Sequence, residues 1–148
     1  MTVQRKSLQE QAEIEALFAK LRKAHADKDA DAIADAYAPD VVVYDLAPPL
    51  GRRGVRREEI AAWLATWDGP VEIDARDIEI TAERDLAFST AFNRMRGHQS
   101  GEKQDLWFRA TICLKRIGGS WRIVHDHTSV PFYMDGSYRA ATDLKPPD

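Results

Sequence analysis

The hydrophobic pattern changes its period once, near residue 70, and this change limits the folds open to the chain. Before it, apolar residues recur at helical spacing, as at Leu17, Phe18 and Leu21. After it, they occupy every second position, as at Leu106 and Phe108. Helices followed by a run of antiparallel hairpins predict an α+β fold with the helices on one face of a sheet.

We predict three helices, covering residues about 7–26, 29–37 and 55–67, because each stretch carries an apolar stripe. Pro39 and Pro70 end the second and third of them. Strands are predicted at 41–44, 71–73, 78–80, 86–95, 106–114 and 121–132, with turns at 97–103 and at 118–119. The 148 residues fit one domain, residues 1–148, with a core of about 7–133. The polar tail, 134–148, is expected to be loosely held.

The composition excludes several classes of protein. The net charge is −3 and no basic block is present, which argues against a nucleic-acid partner. No apolar run reaches the roughly 20 residues that a membrane span needs, and the first ten residues lack a signal-peptide core. We therefore expect a cytoplasmic protein with no membrane partner. Cys113 is the single cysteine, so no disulfide forms within the chain.

Two segments resemble a known family. In residues 28–45 a helix ends in the aromatic Tyr37, then Ala38 and Asp40 lead into a β-branched strand. This order resembles the second helix and first strand of the SnoaL-like and ketosteroid-isomerase-like families, within the nuclear transport factor two-like superfamily. Residues 118–132 are similar to the closing strand of a SnoaL-like subgroup, and the resemblance spans about residues 10–132.

The resemblance implies a cone-shaped, curved antiparallel sheet wrapped around three N-terminal helices, with a hydrophobic pocket for a small-molecule ligand. It also implies a homodimer formed through the sheet. The outward face is expected to carry Trp107, Arg109, Thr111 and Cys113, which is more apolar surface than an open sheet leaves in water. Isomerases, hydrolases, cyclases and non-catalytic modules share this fold, so function depends on the site.

Asp45 is the first candidate for catalysis. By the resemblance it lies where ketosteroid isomerases keep their general base. A carboxylate beside the apolar segment 46–50 would be partly desolvated, and desolvation raises a carboxyl pKa toward useful values. The alternative is an aspartate that caps the turn before Pro48.

The oxyanion donors of the steroid isomerases have no counterpart here. That family uses a tyrosine on the first helix and a protonated aspartic acid on the sheet. The corresponding positions fall at about Leu21 and Ile112, which donate no hydrogen bond. Steroid isomerase activity is therefore not expected.

His125 and His127 are the second candidates. Residues two apart in a strand share a face, so both would share that of Ser129, which we also predict to bind ligand. Pairing across the 118–119 turn is predicted to set Ile112 opposite His125 and Ala110 opposite His127. This register points both imidazoles into the cone, where they act as acid, base or ligand-binding groups. The alternatives are a structural pair that holds the sheet and, less favoured, a metal site.

Other residues follow from the same register. Asp126 is expected on the outward face. Asn93, on a strand face of small residues, is predicted to line the pocket, with an exposed amide as the alternative. Tyr37 and Trp63 are predicted to be aromatic residues of the pocket wall. His25 and His98 are interpreted as surface residues.

Two functions remain open from the sequence. In the first, Asp45 and His127 catalyse proton transfer on a small apolar molecule, in an isomerisation, dehydration or cyclisation. Such a pair needs no cofactor or metal, and we expect neither. In the second, the chain is a non-catalytic module that binds a hydrophobic ligand or serves as a dimeric scaffold.

Overall fold

A computed structural model describes residues 3–148. Two helices, two strands and a third helix come first, and long antiparallel hairpins follow. The helices are α1 Val3–Ala26, α2 Ala30–Asp35 and α3 Arg57–Ala65. The strands are β1 Tyr37–Tyr44, β2 Arg52–Arg53, β3 Glu72–Glu83, β4 Leu86–Gln99, β5 Glu102–Ile117 and β6 Ser120–Ser129. None of the helices in this part of the chain has the length and apolar character to cross a membrane.

The six strands form one curved sheet in the order β2-β1-β6-β5-β4-β3. Neighbouring strands are antiparallel, except that β1 runs parallel to β6. Helix α1 packs across this sheet against β3 and β6. The predicted α+β fold, a cone-shaped sheet around N-terminal helices, is confirmed. The parallel pair departs from the antiparallel pattern because β1 and β6 are remote in sequence and no hairpin sets their direction.

The helices differ from the prediction at their ends. Helix α1 begins at Val3, four residues before the predicted start. Helix α2 begins after Asp29, whose carboxylate accepts a 3.0 Å hydrogen bond from the Ala32 N–H. It ends before Tyr37, which pairs with Ile123 as the first residue of β1. Strand pairing therefore overrides the helical pattern at Tyr37.

The strands are longer than predicted. Strand β3 is continuous across the two predicted segments, with an irregularity between Arg76 and Glu79. Strand β4 runs through Gly97, so the predicted turn at 97–103 shrinks to residues 100–101. A Cβ at Gly97 would lie 2.9 Å from the Pro70 carbonyl oxygen and 3.0 Å from the Trp67 ring. Glycine at this position lets β4 pass close to the end of α3.

The core consists of two apolar clusters. The first joins α1 to the sheet and includes the fully buried Ile14, Val41, Leu114 and Ile123. The second lies below α2 and α3, around Leu64, Trp67 and Val71, with Trp67 only 2% exposed. Burying side chains of this size stabilises a fold by about 1.5–3 kcal/mol each. Two side chains, Leu21 and Tyr37, pack against both clusters.

The C-terminal tail folds back on the domain. The Ala141 N–H donates to the Pro131 carbonyl at 2.8 Å, and Ala141 is 2% exposed. Phe132 forms a bridge with Ala140 in the same return. The prediction of a loosely held tail does not apply to residues 131–141, because backbone hydrogen bonds close this return and Ala141 is buried.

Candidate functional site

A cavity of about 710 Å³ lies between α1, α3 and the concave face of the sheet. Most of its wall is apolar. The larger apolar side chains that line it are Phe18, Leu21, Ile33, Val43, Leu46, Val55, Ile60, Trp63, Ile73, Ile78, Met95, Leu106, Phe108 and Ile112. Polar and charged side chains, among them Asp45, Arg52, Asn93 and Asp126, interrupt this wall. A mainly apolar wall with polar groups set into it is typical of sites for small organic ligands.

An irregularity in β6 decides which of its residues face the cavity. Leu114 pairs with Ile123, but the next residue back along β5, Cys113, pairs with His125. Val124 is thus an extra residue, a β-bulge, and such an insertion turns all later side chains to the other face. The predicted pairing of Ile112 with His125 is wrong, and Ile112 pairs with Asp126 instead.

The bulge brings Asp126 into the cavity against Tyr37. The Tyr37 hydroxyl donates a 2.9 Å hydrogen bond to the Asp126 carboxylate. Both side chains line the cavity, and the accessible part of Asp126 faces its interior. The pairing of Tyr37 with Ile123 sets this contact, because it starts β1 beside β6 just before the bulge.

Burial raises the pKa of Asp126 from its ordinary 3.8 to about 6. The hydrogen bond from Tyr37 lowers this pKa, while the negative charge of Asp45 raises it further. Burial, together with the charge of Asp126, also raises the pKa of Tyr37 well above its ordinary value. Tyr37 therefore stays a hydrogen-bond donor at neutral pH, whereas Asp126 exchanges its proton near neutrality.

Asp45 lies at the exposed rim of the cavity. Its side chain is 44% exposed and forms a 3.1 Å ion pair with Arg52. It also accepts hydrogen bonds from the Leu46 N–H at 2.7 Å and from the Thr128 hydroxyl at 3.4 Å. The desolvation predicted for Asp45 is not observed, because the chain turns outward here and Arg52 pairs with the carboxylate.

The structure brings together only some of the other predicted site residues. Asn93, Tyr37 and Trp63 line the cavity. Ser129 does not, because it pairs with Arg109, whose Nε donates to the Ser129 hydroxyl at 3.1 Å. The expected oxyanion positions, Leu21 and Ile112, also line the cavity and are apolar.

His125 and His127 lie on the outer face of the sheet, so their predicted placement inside the cone is wrong. Their rings contact Tyr44 edge-on, with centroids 5.0 Å and 5.3 Å from its ring. The His125 Nδ1–H donates to the Val42 carbonyl at 2.8 Å, which ties β6 to β1. This contact supports the structural alternative for His125. Within residues 3–148, no three His, Cys, Asp or Glu side chains are arranged to hold a metal ion.

Asp126 and His25 line the cavity although the sequence did not predict either of them there. The sequence predicts Asp126 on the outer face, because no residue pattern within 120–129 indicates a bulge. His25 lines the cavity although it was interpreted as a surface residue. Here the sequence did carry an indication, because His25 follows Leu21 by four residues and shares its helix face.

The α+β fold described above agrees with comparisons of this chain to known proteins. The family model for a SnoaL-like domain matches residues 14–133, and the chain belongs to this family. No curated protein sequence matches the chain.

Solved structures share the fold. An NTF2-like protein of unknown function from Pseudomonas putida KT2440 is 31% identical, with a TM-score of 0.85 over 95% of this chain and 99% of that one. A proposed scytalone dehydratase from Novosphingobium aromaticivorans is 17% identical, with a TM-score of 0.73 over 95% and 97%. A proposed ketosteroid isomerase from Shewanella frigidimarina is 21% identical, with a TM-score of 0.61 over 77% and 92%. The last two show likeness of fold alone.

Proposed function

We propose that this chain catalyses proton transfer on a small, largely apolar molecule held in the cavity, in an isomerisation, dehydration or cyclisation. The observation that carries the proposal is the Asp126 carboxylate, which lines an apolar cavity and accepts a hydrogen bond from Tyr37. The fold similarity to a proposed dehydratase and a proposed isomerase is consistent with this reaction class.

The chemistry follows from the pKa of Asp126. With a pKa of about 6, the carboxyl is about nine-tenths ionised at pH 7 and acts as a base. It removes a proton from a carbon next to a carbonyl group, which leaves an enolate. The carboxylic acid so formed exchanges its proton with solvent and then delivers a proton to the same or another atom of the substrate. A pKa close to the working pH favours both steps. Tyr37 is a positioning residue, because its hydroxyl holds the carboxylate in one orientation.

A second function, ligand binding without catalysis, is favoured by one specific observation. Leu21 and Ile112 are apolar, so neither position supplies a donor for the negative charge that develops on a carbonyl oxygen. Losing one such donor typically costs about 10²–10³ in rate. The binding module therefore stays the alternative, and the experiment that follows separates the two.

The proposed function is tested by exchange of carbon-bound protons for deuterium. We expect the protein to accelerate exchange at the α-carbon of small cyclic ketones such as 2-tetralone, followed by ¹H NMR in D₂O. The catalysed rate should rise with pH through about 6 and then level off, because only the ionised Asp126 accepts a proton. Ketones that bind, as detected by calorimetry, without accelerated exchange would establish the binding module instead.

We propose further that a second copy of the chain covers the outer face of the sheet. Phe88 and Tyr44 lie on this face and are 50% and 42% exposed, while Trp107 and Cys113 stand on the same side. Light scattering at micromolar concentration should give about twice the 16.7 kDa chain mass. A mass equal to that of one chain contradicts the dimer.

A further inference from the structure

His25 lies in the cavity but takes no part in the proton transfer proposed for Asp126. It projects from the last turns of α1, one helical turn after Leu21, and lines the cavity wall. Its ring meets that of Trp63 edge-on, with centroids 6.2 Å apart and an interplanar angle of 77°. The aromatic contact and the helix hold the imidazole in one orientation.

The hydrogen bond of His25 fixes its tautomer. Nδ1 is 2.9 Å from the Leu21 carbonyl oxygen, and a carbonyl only accepts hydrogen bonds. Nδ1 therefore carries the proton, and in the neutral ring Nε2 presents a lone pair. Burial lowers the pKa of His25, and the hydrogen bond to Leu21 opposes this effect only in part. Because the pKa lies below its ordinary value, the ring is neutral at pH 7.

The Nε2 acceptor has no donor among the described residues, since the single hydrogen bond of His25 is made by Nδ1. His25 is half-buried and lines the cavity, so Nε2 is open to a donor from a ligand. A ligand with a matching donor gains one net hydrogen bond there. The acceptor is thus an open hydrogen-bonding position in a mainly apolar wall.

His25 is separate from the pair formed by Asp126 and Tyr37. Its neighbour Trp63 packs on Trp67, which bridges to Gln99 at the end of β4. Asp126 instead pairs with Ile112 of β5, and Ile112 pairs with Ser89 near the start of β4. Asp126 therefore lies level with Ser89, at the other end of β4. A ligand that reaches both groups therefore extends along the cavity.

We propose that His25 is a ligand-binding residue whose Nε2 accepts a hydrogen bond from a hydroxyl or N–H group of the ligand. The ligands of this cavity are then small apolar molecules that carry one hydrogen-bond donor, such as phenols and cyclic alcohols, away from the carbon that exchanges its proton. This inference rests on the proposed function in one respect, since both need a ligand in the same cavity.

The test compares two probes that differ in the donor, 2-naphthol and 2-methoxynaphthalene. Calorimetry gives the ratio of their dissociation constants for the unaltered chain, for His25→Phe and for His98→Phe. Phenylalanine keeps the contact with Trp63 but removes the acceptor, while His98 is exposed on β4 and serves as the control. Comparing variants cancels the contribution of the methyl group itself.

We expect the preference for 2-naphthol to fall about fivefold in His25→Phe, the value of one net hydrogen bond, and to stay unchanged in His98→Phe. In ¹⁵N-histidine spectra of the unaltered chain, 2-naphthol should shift the Nε2 resonance of His25, and the ether should not. The spectra need no variant, so they decide the matter even where His25→Phe fails to fold.

An unchanged preference in His25→Phe, a proton on Nε2, or binding of neither probe overturns the inference. The proposed function fails separately. If the preference holds but no ketone exchanges its protons, His25 still binds ligand and the chain is a binding module.

Discussion

Asp126→Asn is expected to lower the catalysed deuterium exchange of 2-tetralone by about 10²–10⁴, the usual contribution of a general base. The amide has the size of the carboxyl and still accepts the hydrogen bond from Tyr37, so the cavity should keep its shape. What it loses is the ability to take a proton near pH 7. The measurement is the exchange rate by ¹H NMR, with the uncatalysed rate subtracted.

Asp105→Asn is the matched control for this variant. Asp105 lies on the same sheet but pairs with Arg94 at 2.8 Å on the other face, so the exchange rate should change less than twofold. An Asp126→Asn protein that exchanges 2-tetralone as fast as the unaltered chain rules out Asp126 as the base.

The two residues singled out by the sequence enter the same assay. The charge of Asp45 raises the pKa of Asp126, so Asp45→Asn should move the rising limb of the pH profile to lower pH. The catalytic role of His127 stays a prediction, and His127→Gln tests it. A loss in His127→Gln as large as that in Asp126→Asn would place the site on the outer face.

Asp126→Asn is also expected to stabilise the protein at high pH. The pKa of Asp126 is raised in the folded chain, so the folded state binds more protons than the unfolded state between about pH 4 and 6. Stability from this group therefore falls as pH rises through this window. The difference between 3.8 and about 6 corresponds to at most about 3 kcal/mol.

The stability experiment is urea unfolding at pH 4, 6 and 8. Because asparagine carries no charge, the gain should approach about 3 kcal/mol at pH 8 and vanish near pH 4. Asp105→Asn should instead destabilise the protein at pH 8, because the Arg94 hydrogen bond lowers the pKa of Asp105 in the folded state. The stability that the Asp105 carboxylate contributes is present above its ordinary pKa and is lost as pH falls. A variant at Asp126 that is less stable at pH 8 contradicts the assignment.

The opposite changes in stability expected for Asp126→Asn and Asp105→Asn distinguish a carboxyl of the candidate site from one that stabilises the fold. A carboxyl that the fold holds at a stability cost is typical of functional sites, whereas an ion pair on a sheet surface serves the fold. Asp45 is exposed and paired with Arg52, and Asp105 is paired with Arg94, so their charges are accommodated locally. Asp126 lines the cavity as well, but its carboxylate is held by a hydrogen bond from Tyr37 and has no ion-pair partner among the described residues.

The sequence alone determined the types and order of the elements other than β2, and it determined which side chains of the β4–β5 hairpin face the cavity. Leu106, Phe108 and Ile112 alternate along β5, and the same alternation placed Asn93 in the cavity. Alternation of apolar side chains is a local property, because successive residues of a strand point to opposite faces. Asp29 likewise marked the start of α2 through its own side chain.

Only the tertiary structure decided which residues of β6 reach the cavity. Ile123 continues the inward pattern, but β6 pairs with β5 on one side and with β1 on the other, and both pairings are irregular around Val124. A bulge has no sequence signature at this position, since it results from fitting two neighbouring strands at once. One extra residue reverses the face of every residue after it. For this reason Asp126 lines the cavity, whereas His125 and His127 lie on the outer face.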